Sequence, residues 1–149
     1  MLDDLRERIE GTLPGLFGIE LLVVERGRVD ARMQLRPQFL APNGYLHAGT
    51  VVALADSCCG VGCAASLPEG RSGFTTVELK VNFMRTARDG ALRCEARLAH
   101  GGRTTQVWDA TVIRDDDGHE IALFRCTQYL LVGERRAEPP VQPAGDQRP

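Results

Sequence analysis

An excess of positive charge is missing from this chain. Its 18 Lys and Arg stand against 20 Asp and Glu, for a net charge of −2 and a pI near 5.9. Nucleic-acid binding needs a basic surface against phosphate, so that class is excluded. Short basic clusters such as Arg85/Arg88 still suit the phosphates of a small ligand. A run of about 18 apolar residues is also missing. Thr50–Ala65 is the longest apolar stretch, but it is too short and carries Asp56, so no membrane span is expected. The opening "MLDDLRERIEG" is acidic and amphipathic and lacks the charged, apolar and small-residue plan of a signal peptide. A cytoplasmic location follows as an expectation. The five cysteines (Cys58, Cys59, Cys63, Cys94, Cys126) are odd in number and lie in apolar contexts. They suit reduced core thiols better than a disulfide framework. Cys59 and Cys63 are one helical turn apart, but no His or second Cys pair stands at ligand spacing, so no metal site is read.

What remains is an ordinary globular composition, 43% hydrophobic and 26% charged over 149 residues, enough for one domain with a real core. Leu2, Leu5, Ile9 and Leu13 share a helical face, with Asp3 and Asp4 at its start and Pro14-Gly15 as its stop. Ile19–Glu25 and the alternating Val29, Ala31, Met33, Leu35 read as two strands around Arg26-Gly27. A long apolar helix runs from Ala48. After "LPEGRSG", the stretch "FTTVELKVNFMRTA" alternates with Val77, Leu79, Val81 and Phe83 on one face. "GALRCEARLAH" places Leu92, Cys94, Ala96 and Leu98 together before a Gly-Gly turn, and "DDDG" joins the last two strands. From Gly133 the polar, proline-rich "GERRAEPPVQPAGDQRP" reads as a disordered tail, leaving a domain over residues 1–132. Consecutive strands with short connections make an antiparallel sheet, and a helix apolar all round must be covered on nearly every side. The expected architecture is α+β, a curved antiparallel sheet wrapped around one long helix.

One residue resists that helix. Asp56 has Val52, Ala55 and Cys59 as its helical neighbours, none able to form an ion pair with it. Either it is a hydrogen-bonded structural acid, or it lies in a cleft where burial raises its cost and its reactivity. Just upstream, "PNGYLHAG" joins turn residues to His47 and two small residues entering the helix. The first N–H groups of a helix have no internal acceptor and carry partial positive charge. Small residues let a ligand oxygen approach them, which is the equipment of an oxyanion hole.

The stretch "NGYLHAGTVVALADSCCGVGC" resembles the hotdog-fold acyl-CoA thioesterases of the phenylacetate-degradation (PaaI-like) group. The matching positions are Asn43, the helix entry His47-Ala48-Gly49, and Asp56 nine residues after the histidine. The group has Gly where Ala48 stands, and its Asn often lies six residues before the His rather than four. "TTVELKVNFMRTA" looks like the group's strand bearing a Ser or Thr near the active site, which falls on Thr76. Thr76 and the Val77–Phe83 face have opposite parity, so they share a side only if a bulge intervenes. The resemblance implies a hotdog fold, dimers that often pair again into tetramers, and thioester hydrolysis. CoA then belongs to the substrate and no separate cofactor is expected. Arg85, Arg88 and Arg103, at a strand end or in turns, are candidates for its phosphates, each also readable as solvated surface. His47 is read as orienting the thioester or capping the helix, and Asn43 as holding water or the helix entry.

Geometry adds a condition. Gly49 and Asp56 are roughly 10 Å apart along one helix axis, too far for both to reach one carbonyl. Two antiparallel copies related by a two-fold axis would bring one helix N-terminus to the partner's acid. The expected activity is hydrolysis of acyl-CoA to free acid and CoA, with Asp56 as general base or nucleophile. A hotdog hydratase or dehydratase and a non-catalytic acyl-CoA binding module stand as alternatives. With eight aromatic residues in the chain and only Tyr45 near the motif, the acyl group is undetermined.

Overall fold

The computed structural model describes residues 2–133; the proline-rich tail read from Gly133 onward lies, but for its first residue, outside the described residues. The chain begins with α1 (Leu2–Ile9), whose first-turn acids pair with Arg6 and Arg8 at 3.3 and 3.1 Å. The single helix expected over residues 2–13 is broken in two. Gly11 adopts φ +71, a left-handed turn that suits glycine. Leu13 then opens a second short helix, α2 (Leu13–Leu16). Pro14 lies in the first turn of α2, where its missing N–H has no partner to lose, so it starts a helix rather than stopping one.

A six-stranded, fully antiparallel sheet follows: β1 (Glu20–Glu25), β2 (Arg28–Gln34), β3 (Gly73–Phe83), β4 (Ala91–Gly101), β5 (Thr105–Arg114) and β6 (Glu120–Leu131). The spatial order is β1-β2-β4-β5-β6-β3. The long helix α3 (Ala48–Ala65) leaves β2 through a 3-10 turn and a loop, crosses the sheet, and delivers the chain to β3 at the far edge. The core forms where α3 meets the sheet. Val51, Leu54, Ala55, Cys58 and Cys59 pack with Met33, Leu92, Trp108 and Val112 in one buried cluster. All five cysteines are free and buried. Gly62 sets how close the helix can come: a Cβ there would lie 2.5 Å from the Trp108 ring.

Two expectations about faces are corrected. The helix is not covered on nearly every side within one chain. Residues 52–53, 56–57, 60–61 and 64–65 form a stripe that is only half-buried. On β3, two residues oppose one on β6 between Thr76 and Glu78. This bulge flips the alternation, so Thr76 lies opposite Gln128 while Leu79 and Val81 lie opposite Cys126 and Phe124, all three buried on β6. Thr76 therefore joins the helix-facing side. Val77, expected among the inward residues, is the extra residue of the bulge and is 59% exposed.

Candidate functional site

The bulge is what brings two of the sequence-expected residues together. Asp56, at mid-helix on the half-buried stripe of α3, receives the hydroxyl of Thr76 at a long 3.4 Å. No ion pair to Asp56 exists among the described residues. Burial pushes its carboxyl above the ordinary value, and the Thr76 hydrogen bond offsets this only in part. The carboxylate borders an apolar cleft of about 310 Å³ between the N-terminal helices, α3 and β3. Leu5, Ile9, Pro14, Val61 and Phe74 supply its apolar walls. Arg8 also lines it, but its guanidinium pairs with Asp4. A larger hollow on the outer face of the sheet holds Asp109 and Arg125, which neutralise each other in a two-bond pair of 2.5 and 2.7 Å. The unpaired acid of the inner cleft is the better chemical site.

The helix entry is built by a network of backbone hydrogen bonds. His47 N–H donates to Phe39 O at 3.1 Å, Leu46 N–H to Ala87 O at 2.9 Å, and the Thr50 hydroxyl to Phe39 O at 2.8 Å. His47 is the N-cap, and its Nδ1 accepts the Gly49 N–H at 2.8 Å. Gly49 is needed for this cap, since a Cβ there would lie 3.0 Å from Nδ1. The Gly49 N–H that the sequence offered to a substrate oxygen is thus held by His47. Both residues are exposed, so a ligand oxygen can replace the imidazole by a rotation of one side chain. Asn43 holds the loop: its Oδ1 accepts the Tyr45 N–H at 3.2 Å, ahead of Gly44 at φ +81.

Of the three candidate phosphate ligands, two stand together at one end of the sheet. Arg88 stacks over Tyr45 at 4.7 Å and donates to Gly44 O at 3.3 Å, beside the loop that enters α3. Arg85 donates to Glu120 O at 3.0 Å near the start of β6. Arg103 is exposed in the β4–β5 turn, next to Gln106, which donates to Ser66 at the other end of α3. In one chain the three cannot meet a single ligand end. Sequence reasoning missed Gln128, fully buried and 2.9 Å from Thr76 Oγ1. Its signal was a polar side chain in the inward register of β6 between Cys126 and Leu130. Among the described residues no group of three His, Cys, Asp or Glu gathers for a metal.

Comparison with known proteins identifies the family and the fold. The thioesterase superfamily model matches residues 43–121, spanning the helix entry, Asp56 and Thr76. The chain is 31% identical over 111 residues to a 1,4-dihydroxy-2-naphthoyl-CoA hydrolase of Listeria monocytogenes, covering 74% of this chain and 89% of that protein. It is 30% identical over 122 residues to a proofreading thioesterase of Klebsiella pneumoniae, covering 82% and 88%. A thioesterase from Pseudomonas aeruginosa, solved as a mutant, superposes with a TM-score of 0.83 at 28% identity over 89% of this chain and 95% of that one. The chain belongs to the thioesterase superfamily and carries its hotdog fold.

Proposed function

We propose that the protein hydrolyses acyl-CoA thioesters to free acid and CoA in a site shared by two chains of a homodimer. The observation that carries this reading is Asp56: a half-buried carboxylate with no cationic partner among the described residues, bordering an apolar cleft in a thioesterase fold. The acyl group occupies the cleft. The thioester carbonyl oxygen takes the Gly49 N–H of the partner subunit, displacing the His47 ring that caps it, and the helix dipole favours the developing negative charge. Asp56 then acts as general base on water or as nucleophile. By the base route, water adds to the carbonyl carbon while Asp56 takes its proton. The C–S bond breaks, and that proton leaves with the CoA sulfur. CoA is part of the substrate and no cofactor is required. Arg88, beside the helix entry, and Arg85, near the start of β6, face the CoA phosphates. The five free, buried thiols fit a reducing compartment.

The half-buried stripe of α3 and the exposed apolar residues of the edge strand β3 support pairing. Val77, Leu79 and Phe83 are 59%, 42% and 49% exposed, and an unpaired apolar edge is a natural site for a second copy. The test is thiol release over a panel of acyl-CoAs. Asp56→Asn or Asp56→Ala lowers kcat at least ~100-fold with the dimer intact. Near-native turnover by a folded Asp56→Ala protein removes Asp56 from the mechanism, and consumption of an enoyl-CoA without thiol release replaces hydrolysis by hydration.

A further inference from the structure

The buried face of β6 carries one side chain that the mechanism above does not use. Gln128 is fully buried, and its amide makes contacts in two directions. Its Oε1 accepts the Thr76 hydroxyl at 2.9 Å, and its Nε2 donates to Cys126 Sγ at 3.4 Å. Thr76 Oγ1 is also 3.4 Å from Asp56 Oδ1. A threonine hydroxyl has a single proton, so Gln128 and Asp56 compete for it, and the shorter contact belongs to Gln128. The amide is held in this orientation from behind. Cys126 Sγ lies within hydrogen-bond distance of the amide, and the NH₂ end is the one turned toward it. The carbonyl end then faces Thr76.

We propose that Gln128 is a positioning residue for Asp56, acting through Thr76: it draws the hydroxyl proton to itself and leaves Oδ1 of the carboxylate with only a long, weak donor, open to the attacking water. This rests on the assignment of Asp56 as the acid of the site. A carboxylate without a full-strength donor is the stronger base, and this one is already made more basic by burial. Among the described residues, no other group supplies it a donor. Cys59, one turn along α3, is fully buried and makes no hydrogen bond to Asp56 among the described residues. Arg8 of α1 is paired with Asp4 at 3.1 Å. Glu78, beyond the bulge, accepts from Thr127 at 3.3 Å.

The experiment is a carbon-13 NMR titration of the Asp56 carboxyl, its signal assigned by loss in Asp56→Asn, run beside the pH profile of kcat/KM. Gln128→Met fills the same space without an acceptor, so Thr76 turns to Asp56 and the carboxyl titrates about half a pH unit or more below wild type. Cys126→Ala removes the sulfur that holds the amide, the NH₂ end turns to Thr76, and the shift has the same direction. Thr76→Val removes the weak donor and moves the titration upward. A purely structural Gln128 would lower the melting temperature and leave the carboxyl where it is. An unchanged or raised midpoint in whichever of Gln128→Met and Cys126→Ala folds overturns the proposal. If the carboxyl moves as expected while the acidic limb of kcat/KM stays put, the positioning role stands and Asp56 as base falls.

Discussion

At the scale of single residues, the protein gives up some stability at Asp56. Its carboxyl is raised by burial, so the folded state holds that proton more tightly than the unfolded chain does. Between the ordinary carboxylate value of about 4 and the raised folded value, the folded state binds more protons, and stability falls as pH rises through that window. Asp56→Asn cannot ionise. Its melting temperature therefore lies above wild type at pH 7, and the gap narrows toward pH 4; a thermal melt followed across this range reads both. A lower melting point for Asp56→Asn at pH 7 would mean that the charged form is well served by partners. Asp56 was legible in the sequence because a carboxylate among apolar neighbours breaks a pattern. Gln128 was not, because near the end of β6 polar and apolar residues mix freely, and only the pairing with β3 reveals which of them point inward.

At the scale of elements, α3 was read with its start and extent because eighteen residues without a charge but one follow a small-residue entry. On β3 the face holds for Leu79, Val81 and Phe83 but not for Val77, because alternation is counted from sequence whereas a bulge inserts a residue that no composition announces. The first helix was misread for a similar reason. Apolar spacing continues through Gly11, but the backbone turns there at φ +71. Two glycines of α3 separate packing from propensity. At Gly60 a Cβ would meet the Phe74 ring at 3.4 Å, an ordinary contact, whereas at Gly62 it would meet Trp108 at 2.5 Å. Gly60→Ala is expected to be neutral or stabilising by up to about 1 kcal/mol, the helix propensity difference. Gly62→Ala is expected to cost about 1–3 kcal/mol despite the same propensity gain, since the Trp108 ring is held by its 2.8 Å bond to Gln106. Urea unfolding of the two variants checks the contrast.

At the scale of the whole molecule, the catalytic reading depends on a second copy. The helix entry is exposed in one chain and Asp56 lies on the half-buried stripe of α3; in the proposed two-chain site, each protomer offers two halves of different sites. Gly49→Pro removes the N–H in the first turn, where the helix itself has no use for it, with the exposed His47 ring turning aside from the added carbon, and Asp56→Asn removes the acid. Each alone is expected to be nearly inactive. Unfolded together and refolded at equal amounts, they form mixed dimers in which one site regains both groups. With half of the dimers mixed and one of two sites restored in each, activity recovers to roughly a quarter of wild type. No recovery above the parents would place both groups in one chain. The hotdog architecture was readable from element order, whereas the separation of Arg103 from Arg85 and Arg88 was not. Turns look alike in sequence, and only the strand directions show which end of the sheet each one occupies.

The close seat of α3 has a spectroscopic use. The chain has one tryptophan, and its ring lies wholly buried against Gly62. Its emission therefore reports the docking of the central helix rather than an average over the molecule. A blue-shifted spectrum that holds steady while acyl-CoA is added would say that substrate enters without lifting the helix. A red shift on binding would instead reveal a sheet and helix that part to admit it.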